Sequence, residues 1–344
     1  MSSVAILGAG CSGLAAAHIL RDKGWSVTLF EREHEVGGRA TTLAREGFKY
    51  DYGAQYIKRG SPESVAWITE RFRASDLLDI VKPVWTFDGK GSIQEGDSAQ
   101  NAEEKWNYRS GLVMLTKRMA ESLDVHLSTP IELARHDEHG WNLVGEQGQN
   151  IGTFDRLLLT LPLPQVCEFL GKSHFEPEVC GAVRTVLGTS MYRPLLSIML
   201  GYRPTPRTRP YYALVNSDKR HAISWLAWEH EKSLERVPEG AGLLIAQMAP
   251  AYSAEAWGRA DAKLIDDCTG RVSRLLDEDL SSPYFSDVQR WQFALPSVLV
   301  DDAPLLDLTL PLGLALCGDG FVGGRVHLAL EHGMRVARRM ADEA

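Results

Sequence analysis

The sequence predicts an α/β protein in which a Rossmann-type dinucleotide-binding domain carries an inserted α+β domain. Three observations predict it. The chain opens on strand, glycine loop, helix and strand between Val4 and Glu31. It closes on the apolar run Leu314 to Cys317, the pair Gly318-Asp319 and a long helical pattern. Its 344 residues exceed the roughly 250–300 over which a single core keeps growing, so a second domain should stand between the two ends.

Val4-Ala5-Ile6-Leu7 is an apolar run of the length of a buried parallel strand. Gly8-Ala9-Gly10-Cys11-Ser12-Gly13 follows and leads into Leu14 to Leu20, rich in good helix formers. Gly24 stops the helix, and Trp25 to Phe30 make a second strand ending on Glu31. Gly8 allows a tight turn, Gly10 lets the backbone approach a pyrophosphate, and Gly13 lets helix and strand pack closely. The helix N-terminus, with about half a positive charge, receives the phosphates. Glu31, eighteen residues after Gly13, stands where an acid accepts both hydroxyls of an adenosine ribose. Three glycines alone occur in ordinary loops; strand, loop, helix, strand and acid in this order make the signal specific.

Next come Gly37-Gly38-Arg39-Ala40-Thr41-Thr42 and Asp51-Tyr52-Gly53-Ala54-Gln55-Tyr56. With these the chain resembles the flavin-containing amine oxidase superfamily, of glutathione-reductase/amine-oxidase-like fold, and within it the renalase-type oxidoreductases. The resemblance implies non-covalent FAD, with the Gly-Gly-Arg turn in contact with it and the Asp-x-Gly-Ala-Gln-Tyr run passing beside the flavin. It implies a cofactor site of Gly8, Gly10, Cys11, Ser12, Gly13, Glu31, Arg32, Gly38, Arg39, Ala54, Gln55 and Tyr56. Asp319 is implied to bind the ribityl chain, with Gly318, Gly324, Arg325 and Val326 at the start of the last helix facing the flavin. Glu35 departs from the pattern, where an arginine is common, and should point to solvent.

Along the chain, Ser61-Pro62-Glu63 reads as a helix start, and Asp88 to Glu104, poor in apolar residues, as a loop or hairpin tip. Ser110 to Leu123 is a second helical pattern. Short strands should run at Val125–Leu127, Ile131–Arg135, Gly140–Val144 and Asn150–Phe154, followed by a buried strand from Arg156. An aromatic cluster including Tyr192, Trp225 and Trp257 reads first as core. Ser253 to Leu276 should form one helix with Ser253 as N-cap. The expected FAD-binding domain comprises residues 1–60, 105–165 and 297–344, and the substrate domain 61–104 and 166–296.

The net charge of −8 argues against a nucleic-acid surface. No run approaches the 18 or more apolar residues of a membrane span, and the first core strand begins by Val4, leaving no room for a signal peptide. Five scattered cysteines without a CxxC pair suit a reducing cytoplasm and suggest no metal site. No Ser-His-Asp or paired-carboxylate constellation is visible. The renalase resemblance implies hydride transfer to flavin N5 from isomeric dihydronicotinamide nucleotides, with molecular oxygen leaving as hydrogen peroxide. An amine or amino-acid oxidase is the alternative, and a flavin-free binding protein of the GDP-dissociation-inhibitor kind is one of another class. Substrate-side candidates are Gln55, Tyr56, Lys58, Trp291 and His327. Lys58 and Arg59 should attract nucleotide phosphates, and His327, in the first turn of a helix, should be neutral.

Overall fold

In the computed structural model, which describes residues 2–343, the apolar opening forms β1 (Ser3–Leu7), followed by α1 (Cys11–Asp22) and β2 (Ser26–Phe30). β1 is the middle of a five-stranded sheet in the order Asp124–His126, β2, β1, Arg156–Leu159, Leu314–Leu316. Every pairing in it is parallel. Alternation along β1 decides which layer each residue joins. Val4 and Ile6 pack with α1 and the last helix (Val326–Asp342). Ala5 and Leu7 pack on the other face, against Trp141 and Leu143 of an antiparallel meander. That meander runs Ile131–Asp137, Gly140–Gly145, Asn150–Phe154. α1 and the last helix cross so closely that a Cβ on Gly333 would lie 2.1 Å from the Ser12 carbonyl oxygen.

A second sheet has seven strands in the order Phe285–Val298, Met191–Tyr202, Gly242–Met248, Ile223–Trp228, Ala213–Asn216, Val84–Phe87, Ile93–Gln94. Leu196, Ile198 and Leu200 face Leu264, Cys268 and Val272 of the helix Asp261–Leu276. Met199, on the opposite face of its strand, packs with Phe48, Tyr50 and Ile245. Much of the aromatic cluster is core, with Tyr211 and Trp228 both buried in this layer.

Several elements differ from expectation. Residues 88–104 hold the expected hairpin tip, between Val84–Phe87 and Ile93–Gln94, but add a short helix at Ser98–Ala102 that Asp97 caps. The helix expected over 110–123 is confined to Met114–Ala120, because Gly111 stands at φ +120°, outside helical space. The expected helix 253–276 is two, Pro250–Glu255 and Asp261–Leu276. Ser253 caps neither; it is fully buried, its hydroxyl accepting the Leu196 N–H at 3.1 Å. Ser61 does cap its helix, accepting from the Ser64 N–H. Among the described residues no helix is long and apolar enough to cross a membrane.

Candidate functional site

A cavity of about 1300 Å³ runs from the glycine loop to the second sheet. Its near end is walled by the loop after β1, by 31–43 and by 160–169, and its far end by 52–56, 289–296 and the start of the last helix. The near end has the shape of a dinucleotide cradle. Gly8 sits at φ +105°, and a Cβ on Gly13 would be 2.1 Å from the Gly8 carbonyl oxygen. A Cβ on Gly10 would meet nothing within 4 Å, so that side of the backbone is open to a ligand. No side chain caps α1, which leaves its first-turn N–H groups for an anion.

Glu31 is buried at the end of β2 on the cavity wall. Its carboxylate accepts the Ala9 N–H at 2.9 Å and the Glu33 N–H at 3.0 Å, which fixes it in place. Arg32 also lines the cavity but turns to Glu33, 3.1 Å away. Cys11 and Ser12 occupy the first turn of α1, and burial pushes the Cys11 thiol up to about 12, so it is not a reactive thiolate. Glu35 does not simply point to solvent: half-buried, it pairs with Lys117, because the helix Met114–Ala120 packs close beside α1.

The Gly37-Gly38 turn, both residues at positive φ, folds back so that the Gly37 N–H donates to the Ala9 carbonyl at 3.0 Å. Arg39 then joins the two ends of the chain. Its guanidinium reaches Asp319 at 2.7 and 2.8 Å and donates to the Phe293 carbonyl at 2.9 Å. The Tyr192 hydroxyl donates to the same Asp319 carboxylate at 3.1 Å. Behind this pair, the Gly318 N–H donates to His332 Nδ1 at 3.0 Å, which leaves the proton on Nε2 to donate to Asp302 at 3.1 Å.

Behind 51–56 lies a cluster that the sequence reading missed. Asp51 accepts from Lys232 at 2.9 Å, Arg236 at 2.7 Å, Asn107 at 2.9 Å, Thr42 at 2.6 Å and the Leu112 N–H at 2.9 Å. Glu229 pairs with Lys232 at 2.8 Å and with Arg236. All four charged side chains are 0% exposed. Burial alone would raise the Asp51 carboxyl; Arg236 and Lys232 outweigh it and hold the group well below the ordinary range. The Gln55 amide is consumed here, its nitrogen donating to the Asp51 carbonyl at 2.5 Å and its oxygen accepting from Lys232 at 3.2 Å. The one sequence signal was Glu229, Lys232 and Arg236 at helical spacing beside an apolar aromatic strand.

At the far end, Tyr56, Ala54, Trp291, Gly324, Arg325 and Val326 lie on the wall. Trp291 stacks on Tyr52 with centroids 5.4 Å apart and donates its indole N–H to the Tyr52 carbonyl at 2.9 Å. Burial raises the Tyr56 hydroxyl, and the facing Arg325 guanidinium opposes the rise. Lys58 and His327 are not on the wall. Lys58 pairs with Glu103 at 3.5 Å and Arg59 with Glu104 at 3.4 Å, so neither is the free cation expected for phosphate capture. His327 packs against Gly60; burial lowers its imidazole, with Glu331 opposing. Gly13 and Gly318 stand behind the wall as packing and backbone supports. Arg193, Trp225, Gln247 and Trp257 line the far end as well, although the sequence offered the aromatic ones mainly as core.

The chain matches the NAD(P)-binding Rossmann-like domain family over residues 6–70 and the flavin containing amine oxidoreductase family over residues 89–341. Protoporphyrinogen oxidase 2 of Arabidopsis thaliana is 43% identical over 60 residues, 17% of this chain and 12% of that one. The 4,4'-diapophytoene desaturase of Staphylococcus haemolyticus is 34% identical over 85 residues, 25% of this chain and 17% of that one. These alignments thus span less than a fifth of the curated relatives. Solved structures of the same fold include a putative protoporphyrinogen oxidase from Exiguobacterium sp., with a TM-score of 0.78 at 15% identity, covering 100% of this chain and 99% of that one. Cyclohexylamine oxidase from Brevibacterium oxydans has a TM-score of 0.76 at 14% identity and 99% coverage of both chains. The open Gly10 face, the uncapped α1 and the fixed Glu31 carboxylate fit FAD, the cofactor of this family, and set the flavin-free alternative aside. When bound, FAD supplies a two-electron hydride acceptor. By the match over residues 89–341 and the cradle that fits its cofactor, the chain belongs to the flavin-containing amine oxidoreductase family of FAD-dependent oxidoreductases.

Proposed function

We propose that the chain is an oxidase of the renalase type, taking hydride to flavin N5 from an isomeric dihydronicotinamide nucleotide. The donor loses two electrons and one proton's worth of hydrogen as hydride and becomes an aromatic pyridinium. Oxygen then takes the two electrons, the proton delivered with the hydride and one further proton from solvent, and leaves as hydrogen peroxide. The reading divides the chain into FAD-binding segments (1–60, 105–165, 297–344) and substrate-binding segments (61–104, 166–296) that meet at the cavity, and it sets the protein in the cytoplasm.

The observation that supports it is the chemistry of the far wall: aromatic rings, amides and arginines, with no carboxylate free to act. Tyr52, Tyr56, Trp225, Trp257 and Trp291 stand there beside Gln247 and Gln289. Among the described lining residues the carboxylates belong to 31–35 and 132–168, near the glycine loop, apart from Asp319. Asp319 is engaged by Arg39 and Tyr192. A substrate ammonium would therefore find neither counter-ion nor general base. A planar dihydropyridine needs neither, and aromatic walls suit its stacking.

An amine or amino-acid oxidase is the second reading, favoured by unpaired arginines at the far end that suit an amino-acid carboxylate. Anaerobic mixing separates the two. Bleaching of the flavin by 2- or 6-dihydronicotinamide nucleotides, recovering with peroxide when oxygen is admitted, is the expected result. Bleaching only by amines, at a rate rising with pH as the ammonium deprotonates, would overturn the proposal.

A further inference from the structure

The charges on the cavity wall are sorted by partner. Arg39 is taken by Asp319, and Arg290 by Asp261 at 2.7 Å together with the Trp257 and Arg259 carbonyls. Lys172 is taken by Glu132 at 2.7 Å and Glu168 at 3.3 Å. Arg193 and Arg325 remain: among the described residues, neither has a carboxylate within ion-pairing distance. The fold brings both to one rim. Arg193 is paired in register with Leu295 across the Met191–Tyr202 and Phe285–Val298 strands. Gly324, next to Arg325, packs so tightly on Leu295 that a Cβ there would lie 2.4 Å from Leu295 Cδ2. Leu295 is thus the shared neighbour of both arginine segments, and all three residues line the cavity.

We propose that Arg193 and Arg325 form an oxyanion anchor for the substrate, so that the cavity takes a molecule bearing a phosphate or carboxylate in addition to its oxidisable group. The inference deepens the function proposed above and rests on it only for the choice of phosphate as the first source. The physical case is charge balance. Two guanidinium groups without carboxylate partners among the described residues, on segments that share Leu295 at the wall of one cavity, leave positive charge there that an oxyanion would balance. Guanidinium donors match the paired oxygens of carboxylate and phosphate. The Tyr56 hydroxyl oxygen accepts from Arg325 on the same side and helps to hold that guanidinium in place. This assigns anion recognition to Arg193 and Arg325 in place of Lys58 and Arg59, which glutamates already neutralise.

The test is binding, read from perturbation of the flavin absorption spectrum in the FAD-loaded protein. Two probe pairs differ only in an anionic group: nicotinamide mononucleotide against nicotinamide riboside, and benzoate against benzamide. The anionic member of at least one pair should bind on the order of tenfold more tightly or better, and the preference should shrink with added salt. A preference within the nucleotide pair alone identifies phosphate as the source, and within the benzoate pair alone carboxylate. Arg193→Gln and Arg325→Gln should each lose about tenfold in affinity for the favoured anion and bind the partner that lacks the anionic group no more weakly than the unmodified protein does. Arg193→Lys should restore part of the loss. Arg193→Gln keeps the inference testable should Arg325→Gln fail to retain flavin. Equal affinities within both pairs, or an anion preference that survives Arg193→Gln and Arg325→Gln, would overturn it. The outcome is separable from the proposed reaction. Anion preference without reduction by dihydronicotinamides refutes the reaction alone, and reduction without anion preference refutes the anchor alone.

Discussion

The buried cluster behind residues 51–56 permits a sharp test through Lys232→Met. The ammonium lies 2.9 Å from Asp51, 2.8 Å from Glu229 and 3.2 Å from the Gln55 oxygen, with no exposure to solvent. Asp51 and Glu229 against Lys232 and Arg236 make a neutral set, so the substitution leaves one buried negative charge. Asp51 keeps Arg236, Asn107, Thr42 and the Leu112 N–H, so the orphan is Glu229 Oε2, which has no other hydrogen-bond partner among the described residues. Breaking one side of a buried ion pair costs about 3–5 kcal/mol, and that is the loss expected in urea unfolding of the FAD-loaded protein at pH 7. The double variant Lys232→Met/Glu229→Gln restores neutrality and should recover at least about 1 kcal/mol, since neighbouring buried charges do not add independently. Because Asp51 is held below the ordinary carboxyl range, its stabilisation is complete above the unfolded value of about 3.9 and is lost as pH falls toward the folded one. The penalty should therefore be constant from pH 8 down to about 5. A single-variant loss below about 1 kcal/mol, or a double variant that loses the sum of both singles, would refute the charge-balance reasoning.

Three further outcomes are expected. Glu31→Gln removes the charge that the Ala9 and Glu33 N–H groups orient toward the ribose position; with charge-assisted bonds at about 1.5–3 kcal/mol each, FAD should dissociate on dilution, and unchanged flavin affinity would remove Glu31 from the site. Gly324→Val drives a side chain into Leu295 and toward Pro296, 2.4 and 3.3 Å from the new Cβ; FAD should stay bound through the intact loop after β1 while its reduction slows, and normal reduction rates would show that this rim does not shape the substrate end. His18 is buried, donating from Nε2 to the Met119 carbonyl at 2.7 Å, and burial lowers it to about 4. The unfolded chain then takes up the proton first, so stability should fall as pH drops from 6.5 toward 4, by up to about 3 kcal/mol; His18→Gln should flatten that slope in pH-dependent unfolding, and an unchanged slope would assign it elsewhere.

What the sequence by itself determined is what depends on the local backbone. Gly8 and Gly13 were legible because a left-handed φ and a helix crowding a carbonyl each exclude a Cβ within a few residues of chain, whereas at Gly10 a Cβ would meet nothing in the chain and only the close approach of a ligand asks for glycine. Val4 to Leu7 was legible as an unbroken apolar run of strand length and the meander strands as short runs parted by turn residues, because both are short-range patterns. The Gly-Gly-Arg turn and the Gly318-Asp319 strand end could be marked as site segments, yet their meeting through Arg39 and Asp319 joins residues 280 positions apart. Tertiary structure alone decided which charges are spent and which are free. Lys58 and Arg59 look like free cations in sequence and are answered by Glu103 and Glu104, because the strand Ile57–Lys58 pairs with Lys105–Tyr108. Lys232 and Arg236 look like surface residues and are fully buried on Asp51, while Arg193 and Arg325 come to one rim through Leu295. Hydrophobic periodicity and glycine sterics are written over a few neighbouring residues, whereas a Coulomb pair depends on distance through space and on the water excluded around it, and both are set only when distant segments pack.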